Sequence, residues 1–150
     1  MVRISKEAIQ ELRFRTGVSV MAVKKALEEA GGDTQRALEL LKGEATAMAY
    51  KKAQRQTKAG IIQSYVHGGK IGVLVELRAE TDFVAKNPEF QNFGREIAMQ
   101  IAASDPADVA ELLKTDYIRN PAVTVSDFLK GAIGKFGENI EISRFARLEL

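Results

Sequence analysis

Apolar positions recur every three or four residues through the first third of the chain, alternate or run together from Gly60 to Arg78, return to helical spacing after Pro88, and alternate again toward Leu150. A period near 3.6 marks a helix with one buried face and a period of two marks a strand, so the order of elements is helical, β, helical, β. The first helix is expected from Lys6 to Phe14, on Ile9, Leu12 and the aliphatic stem of Arg13, before a break at Thr16-Gly17-Val18-Ser19. Ser19 caps a second helix carrying Met21, Val23, Ala26 and Leu27, and Gly31-Gly32 ends it. Asp33 caps a third, with Ala37, Leu38, Leu40 and Leu41, expected to stop at Gly43. Residues 1–43 therefore read as a three-helix bundle, and the Ala-rich, basic stretch 44–59 as a linker helix with a weak apolar stripe.

From Gly60 the pattern is β. Ile61 to Val66 and Ile71 to Arg78 are two strands, and His67-Gly68-Gly69-Lys70 is the turn of a hairpin. Asn87 caps and Pro88 opens a helix whose Phe90, Phe93, Ile97 and Ile101 form one apolar face able to lie across that hairpin. A short helix is expected from Pro106 to Lys114. Thr124-Val125-Ser126-Asp127 has the form of an acidic capping box, opening a helix that carries Phe128, Leu129, Ala132, Ile133 and Phe136 and stops at Gly137. Asn139 to Leu150 reads as a third strand, with Ile140, Ile142, Ala146, Leu148 and Leu150 on one face, interrupted by Arg144. Residues 60–150 thus form an α+β core domain, a small antiparallel three-stranded sheet with helices packed on one face.

Composition narrows the functions this fold can carry. With 45% hydrophobic residues in 150, the chain can bury a core without staples, and having no cysteine it has no disulfide, thiolate or Cys-zinc chemistry. MVRISKEAIQELRF carries an early acidic residue and no apolar run of signal-peptide length, and no segment approaches the roughly 18 apolar residues of a membrane span, so a cytoplasmic protein with no membrane partner is expected. A formal net charge of +2 gives no global pull toward nucleic acid. The single histidine and the absence of GxSxG, HExxH and GxxxxGK[ST] leave no complete nucleophile, metal or phosphate-cradling set. No reaction centre, cofactor, metal or directly bound nucleotide is expected.

Taken singly, the polar and aromatic residues have ordinary explanations. His67 reads as a solvated turn residue, Asp82 as the cap of a turn of helix through Lys86, Phe83 as a core aromatic, and Val20 with Met21 as core. Glu80 and Asp82 point the same way on an extended segment, but without an electrophile or oxyanion donor they make no acid/base pair. The run Lys51, Lys52, Arg55 and Lys58 has only Tyr50 as an aromatic neighbour and reads as a solvated helix face.

Taken together they say more. ELRFRTGVSVMAVKKALEEAGGD at 11–33, RAETDFVAKNPEFQNF at 78–93 and GENIEISRFARLEL at 137–150 resemble, in order and over nearly the whole chain, the bacterial translation elongation factor Ts family. The opening segment resembles the ubiquitin-associated-like three-helix bundle shared by many binding proteins. The resemblance implies a non-enzymatic guanine-nucleotide exchange factor for the GTPase elongation factor Tu. It implies that Asp82 and Phe83, framed by Thr81 and Val84, form the wedge that enters beside the GTPase's magnesium and phosphate site. It implies a docking surface on the bundle at Arg13, Val20, Met21 and Lys24, where Val20 replaces the usual Met, and a second contact at His67, Phe136 and Gly137, where Phe136 replaces an aliphatic residue.

The chain departs from many members in having one core repeat and a short connection between Ala103 and Pro121 in place of a long helical hairpin. A homodimer that rebuilds the two-core arrangement through the sheet is the expected consequence. Two other readings stay open: an RNA-binding module tracking phosphates with the helix at Lys51 to Lys58, and a bundle that binds a ubiquitin-like domain without use of Phe83.

Overall fold

The computed structural model describes residues 2–150, in the order α1 (Lys6–Thr16), α2 (Val20–Glu29), α3 (Thr34–Lys52), β1 (Ala59–His67), β2 (Ile71–Ala79), α4 (Asp82–Ala85), α5 (Pro88–Ser104), α6 (Val109–Lys114), β3 (Asp116–Tyr117), β4 (Asn120–Thr124), α7 (Val125–Phe136) and β5 (Ile140–Glu149). The fold is α+β, with a three-stranded antiparallel sheet ordered β1-β2-β5 and its helices on one face. Local chemistry sets the helix starts. Ser5, Ser19, Asp33, Asn87 and Asp108 each accept a backbone N–H of the first turn they cap, and Thr124 with Asp127 forms the reciprocal capping box.

Two apolar clusters fill the interior. Leu12, Val23, Leu27, Ala37, Leu38 and Leu41 make the core of the α1–α3 bundle. Val73, Val75 and Leu77 from β2 meet Phe90, Ile97 and Ile101 from α5, with Ile133 of α7 and Ile140 and Ile142 of β5 closing the second cluster. The apolar stripe of α5 lies across β1 and β2, with Phe90, Ile97 and Ile101 fully buried. The bundle meets the rest of the chain mainly through α7: α3 packs along it, and a Cβ on Gly131 of α7 would come to 3.0 Å from the Thr16 carbonyl that ends α1.

Three boundaries differ from the sequence expectation. The third helix does not stop at Gly43 but continues to Lys52, so the linker helix is the second half of α3 and residues 53–58 are not helical. A glycine inside a helix costs about 1 kcal/mol relative to alanine, and here the Ala-rich continuation and the packing of Ala49 against the second cluster outweigh it. The helix ends where the chain is gripped from outside: Asn139 Nδ2 donates to the Arg55 carbonyl at 2.9 Å, and the Thr57 hydroxyl donates to Glu141 at 3.2 Å. The short helix starts at Val109, capped by Asp108, rather than at Pro106.

The C-terminal strand carries the largest difference. Opposite β2, Glu76 pairs with Arg144 and Leu77 with Ile142, so Ser143 is the extra residue of a β-bulge. One inserted residue reverses which side chains face the core. Ile140 and Ile142 are buried, but beyond the bulge Phe145 and Arg147 turn inward while Ala146, Leu148 and Leu150 are exposed. Arg147 fits among apolar neighbours because its guanidinium meets Glu149 at 2.8 Å, Asp105 at 3.3 Å and the Ala102 carbonyl at the end of α5 at 3.0 Å. The other unforeseen element is the β3-β4 ribbon. It is held by Gln100, fully buried in α5, whose amide donates to Thr115 Oγ1 and the Asp116 carbonyl and accepts from the Ile118 N–H.

Helix α5 approaches the sheet so closely at Gly94 that a Cβ there would lie 2.7 Å from Gln63 Cγ and 2.9 Å from Leu77 Cδ1. Leu77 is fully buried and has no room to withdraw. Gly94→Val is therefore expected to destabilise the fold by about 1–3 kcal/mol, read as a lower urea midpoint with the slope unchanged.

Candidate functional site

The segment between β2 and α5 turns sharply, and Thr81 makes the turn. Thr81, not Asp82, is the N-cap of α4: its extended backbone precedes the helix and its hydroxyl oxygen accepts the Val84 N–H at 3.4 Å. Asp82 occupies the first helical position, where a carboxylate is favoured by the helix dipole. Val84 and Ala85 point into the core. Phe83 points the other way and is 85% exposed, which removes the core-aromatic explanation. Lys86 and Asn87 close the turn with hydrogen bonds to the Asp82 and Val84 carbonyls, and Asn87 goes on to cap α5.

This short helix is fixed by two glutamates distant in sequence. Glu138 Oε1 accepts the backbone N–H groups of Glu80 and Thr81, each at 3.0 Å, and its Oε2 accepts the Thr81 hydroxyl at 2.7 Å. Glu80 returns the arrangement: its Oε1 accepts the Asn139 N–H at 2.7 Å and lies 3.5 Å from the Arg55 guanidinium. Asn139, itself buried, joins the exit of α3 to the same point through the Arg55 carbonyl. Sequence reasoning weighed Glu80 only as a failed acid/base partner of Asp82 and missed the pairing with Glu138, since the partners lie 57 to 59 positions apart. Arg55, one cation of the run at 51–58, is engaged here and is not a free phosphate contact.

The bundle presents a second surface. Val20 and Met21 fall in the first turn of α2 and are 44% and 77% exposed, while Val23, Ala26 and Leu27 take the core positions expected of that helix. Lys24 is exposed and shares their face at spacings of four and three. Arg13 is exposed in the last turn of α1 and borders the same hollow as Ser19, the cap of α2. Val20, Met21 and Lys24 thus share one exposed face of α2, and Arg13 stands across the hollow at the cap of that helix.

The remaining expected contact is split. His67 ends β1 beside the hairpin turn, exposed, with its Nδ1 2.9 Å from the Tyr65 hydroxyl. Phe136 and Gly137 precede β5, whose first residue pairs with Ala79 at the opposite end of β2. Eight residues of strand separate the two ends, roughly 25 Å at the usual rise. His67 therefore stands apart, while Phe136 and Gly137 adjoin Glu138 and the Thr81 turn. Phe136 is half-buried, edge-on to Phe90 at 5.6 Å, and Gly137 takes φ 72° as the C-cap of α7.

Among the described residues no helix is long and apolar enough to cross a membrane, and no group of histidine and acidic side chains could hold a metal ion. The model described as Elongation factor TS matches residues 80–150, which carry the Thr81 turn, Phe136 and both glutamates. Elongation factor Ts of Carboxydothermus hydrogenoformans is 41% identical over 98% of this chain and 89% of its own length. The chain belongs to the elongation factor Ts family. Relatives of the same name from Caldanaerobacter subterraneus and Desulfosudis oleivorans are 40% and 35% identical, covering 97% and 100% of this chain and 96% and 99% of theirs. Membership gives the chain a role in translation elongation. The first alignment runs over 193 positions against 150 residues, so at least 43 positions of that relative have no counterpart here.

Beside Phe136 an open groove of about 730 Å³ runs between α1, α5, α7 and the β3-β4 ribbon, floored by Phe93, Phe128 and Tyr117. Tyr117 stacks on Phe128 at 4.3 Å and donates its hydroxyl to Glu96. Burial, then the hydrogen bond to Glu96 and its negative charge, push the phenol well above its usual range, against a smaller opposing effect of Arg119. Above about pH 10 an unfolded tyrosine loses its proton while the folded one keeps it, so the native state binds more protons and stability must fall as pH rises. Urea midpoints are expected to drop more between pH 9 and pH 11 for the natural chain than for Tyr117→Phe.

Proposed function

We propose that the chain is a guanine-nucleotide exchange factor that binds elongation factor Tu and promotes GDP release by disturbing its magnesium and phosphate site during translation elongation. The observation that carries this reading is Phe83: a large aromatic ring left in water on a short helix whose next two residues are buried. A ring fixed this way suits insertion between packed elements of another protein. Asp82 beside it takes part in none of the ion pairs among the described residues and offers its carboxylate to the polar side of the same cleft. Thr81 caps the turn and Val84 anchors it.

Small displacements beside a magnesium ion are enough for release, because the ion demands near-octahedral geometry and tolerates misplaced ligands poorly. The effect is one of binding and needs no proton transfer or covalent intermediate, so the chain acts without being an enzyme. Linkage makes it reciprocal, the factor weakening GDP by the ratio in which GDP weakens the factor. The bundle of residues 1–43 serves as the docking module through Arg13, Val20, Met21 and Lys24. Phe136 and Gly137 extend the contact next to the wedge, and His67 reaches a separate point on the partner. Such a function belongs in the cytoplasm.

The sheet supplies a further surface, and we assign it to a second copy of this chain. Helices cover one face. On the other, Ile62, Val66, Leu74 and Leu148 are 65%, 66%, 53% and 80% exposed, and cross-strand pairing sets Leu148, Gly72 and Val66 in one row and Ala146, Leu74 and Ser64 in the next. At one end of this apolar field Arg144 and Arg78 meet Glu76. A hydrogen bond from Ser143 and these two guanidinium charges hold the Glu76 carboxyl below its usual range. A self-complementary association through this face would rebuild two cores from two chains and present two His67 turns.

Release of a fluorescent GDP analogue from elongation factor Tu tests the exchange reading. Strong acceleration is expected from the intact chain, and Phe83→Ala, checked for folding by circular dichroism, should lose it by roughly 10- to 100-fold, the scale of one buried aromatic. No acceleration by the intact chain would sink the reading. Sedimentation should give a dimer that Leu74→Glu converts to monomer; a clean monomer of the natural chain at working concentration would overturn the pairing.

A further inference from the structure

We propose that Glu138 is the positioning residue that sets the pose of Phe83, and that it ties that pose to the surface formed by Phe136 and Gly137; the proposal rests on the exchange reading above. The geometry singles out this side chain. One carboxylate takes three hydrogen bonds from two consecutive residues, the Glu80 and Thr81 N–H groups and the Thr81 hydroxyl, all between 2.7 and 3.0 Å. The hydroxyl contact has a directional consequence. Donating its proton to Glu138 turns an oxygen lone pair of Thr81 toward the Val84 N–H, which it accepts as the cap of α4. The chain Glu138, Thr81, Val84 therefore brackets Phe83 on both sides without touching its ring.

The bracket matters because Phe83 cannot hold itself. Its ring is 85% exposed, and α4, of four residues, is far too short to be stable alone. Without external anchors the turn would sample many poses and lose part of its binding energy to ordering on contact. Charge-assisted hydrogen bonds to a carboxylate are the strongest anchors available to backbone N–H groups. Glu138 also follows directly on Gly137, whose left-handed backbone ends α7. Any partner pressing on Phe136 and Gly137 acts on the residue that holds the wedge, so docking there and the pose of Phe83 are mechanically one event.

The chain contains no tryptophan, so Phe83→Trp gives a single indole reporter of the pose, read without any partner. Adding Glu138→Ala to Phe83→Trp should lower the steady-state anisotropy of the indole, and Glu138→Gln should lower it less, because its amide oxygen can still accept both backbone N–H groups while the Thr81 hydroxyl loses its acceptor. In GDP release from elongation factor Tu, with Phe83 retained, Glu138→Ala should lower the maximal rate at saturating factor by about tenfold, the scale of ordering one flexible contact. The half-saturating concentration should move little, since Val20 and Met21 are untouched, and Glu138→Gln should recover much of the rate. A merely structural role would shift melting temperature without this split. Unchanged anisotropy in the Glu138 variants overturns the positioning role whatever the exchange result. A fall in anisotropy with no acceleration by the intact chain overturns the exchange reading and with it the functional half of the proposal. Should Glu138→Ala fail to fold, Glu138→Gln carries the same comparison.

Discussion

Two glutamates exchange backbone hydrogen bonds across one end of the sheet, and the functional surface depends on that exchange. Glu138 accepts from residues 80 and 81, and Glu80 accepts from residue 139, so each carboxylate ends the chain segment that carries the other. Three parts of the fold meet there: the exit of α3 through Arg55, the turn after β2, and the link from α7 to β5. None of these segments has a ladder of its own at that point, and their N–H groups would otherwise lie unpaired near the protein surface. The node closes the sheet end and lets the chain leave β2 at an angle that throws Phe83 outward while Val84 and Ala85 stay in the core.

The same constraint gives the sheet its sidedness. Pinning residues 138 and 139 fixes where β5 begins, and pairing from Ile140 onward follows β2 until Ser143 bulges out. Before the bulge the core side of β5 is aliphatic, and after it Phe145 and Arg147 face inward. Leu148 is thereby moved to the open face, in line with Val66 of β1. An exposed apolar field is a liability for a monomer, and here one inserted residue creates it.

Much of this was legible in the sequence, where local chemistry decides. Ser19, Asp33, Asn87 with Pro88, and Thr124 with Asp127 announce helix starts because a cap needs only its own next three residues. The hairpin around His67 follows from two consecutive glycines, both of which take positive φ. What was not legible depends on distant partners. Gly43 looks like a stop, yet packing beyond it carries α3 on to Lys52. Strict alternation placed Leu148 and Leu150 inside, and no local signal at Ser143 marks the bulge. Gln100 reads as a polar residue on a helix, but it is the buried anchor of a ribbon that has almost no pattern of its own. The Thr81 to Val84 motif was visible by resemblance, whereas its exposure, and Glu138 behind it, required three dimensions.

The division between rigid frame and exposed ring bears on how far such a contact can perturb a partner. Under the exchange reading, the factor can weaken nucleotide binding only by the free energy its own contacts gain when the nucleotide is gone. Burying one phenylalanine supplies about 1.5–3 kcal/mol, and ordering a loose loop would consume a comparable amount. A ring on a loose turn would therefore achieve almost nothing, and the same ring on a turn already anchored by carboxylates keeps nearly all of its burial energy for the partner. That difference explains why hydrogen bonds are concentrated behind Phe83 and not on it. The ring itself must stay without partners in the free chain, because every contact it made at home would be subtracted from the contact it makes in the complex.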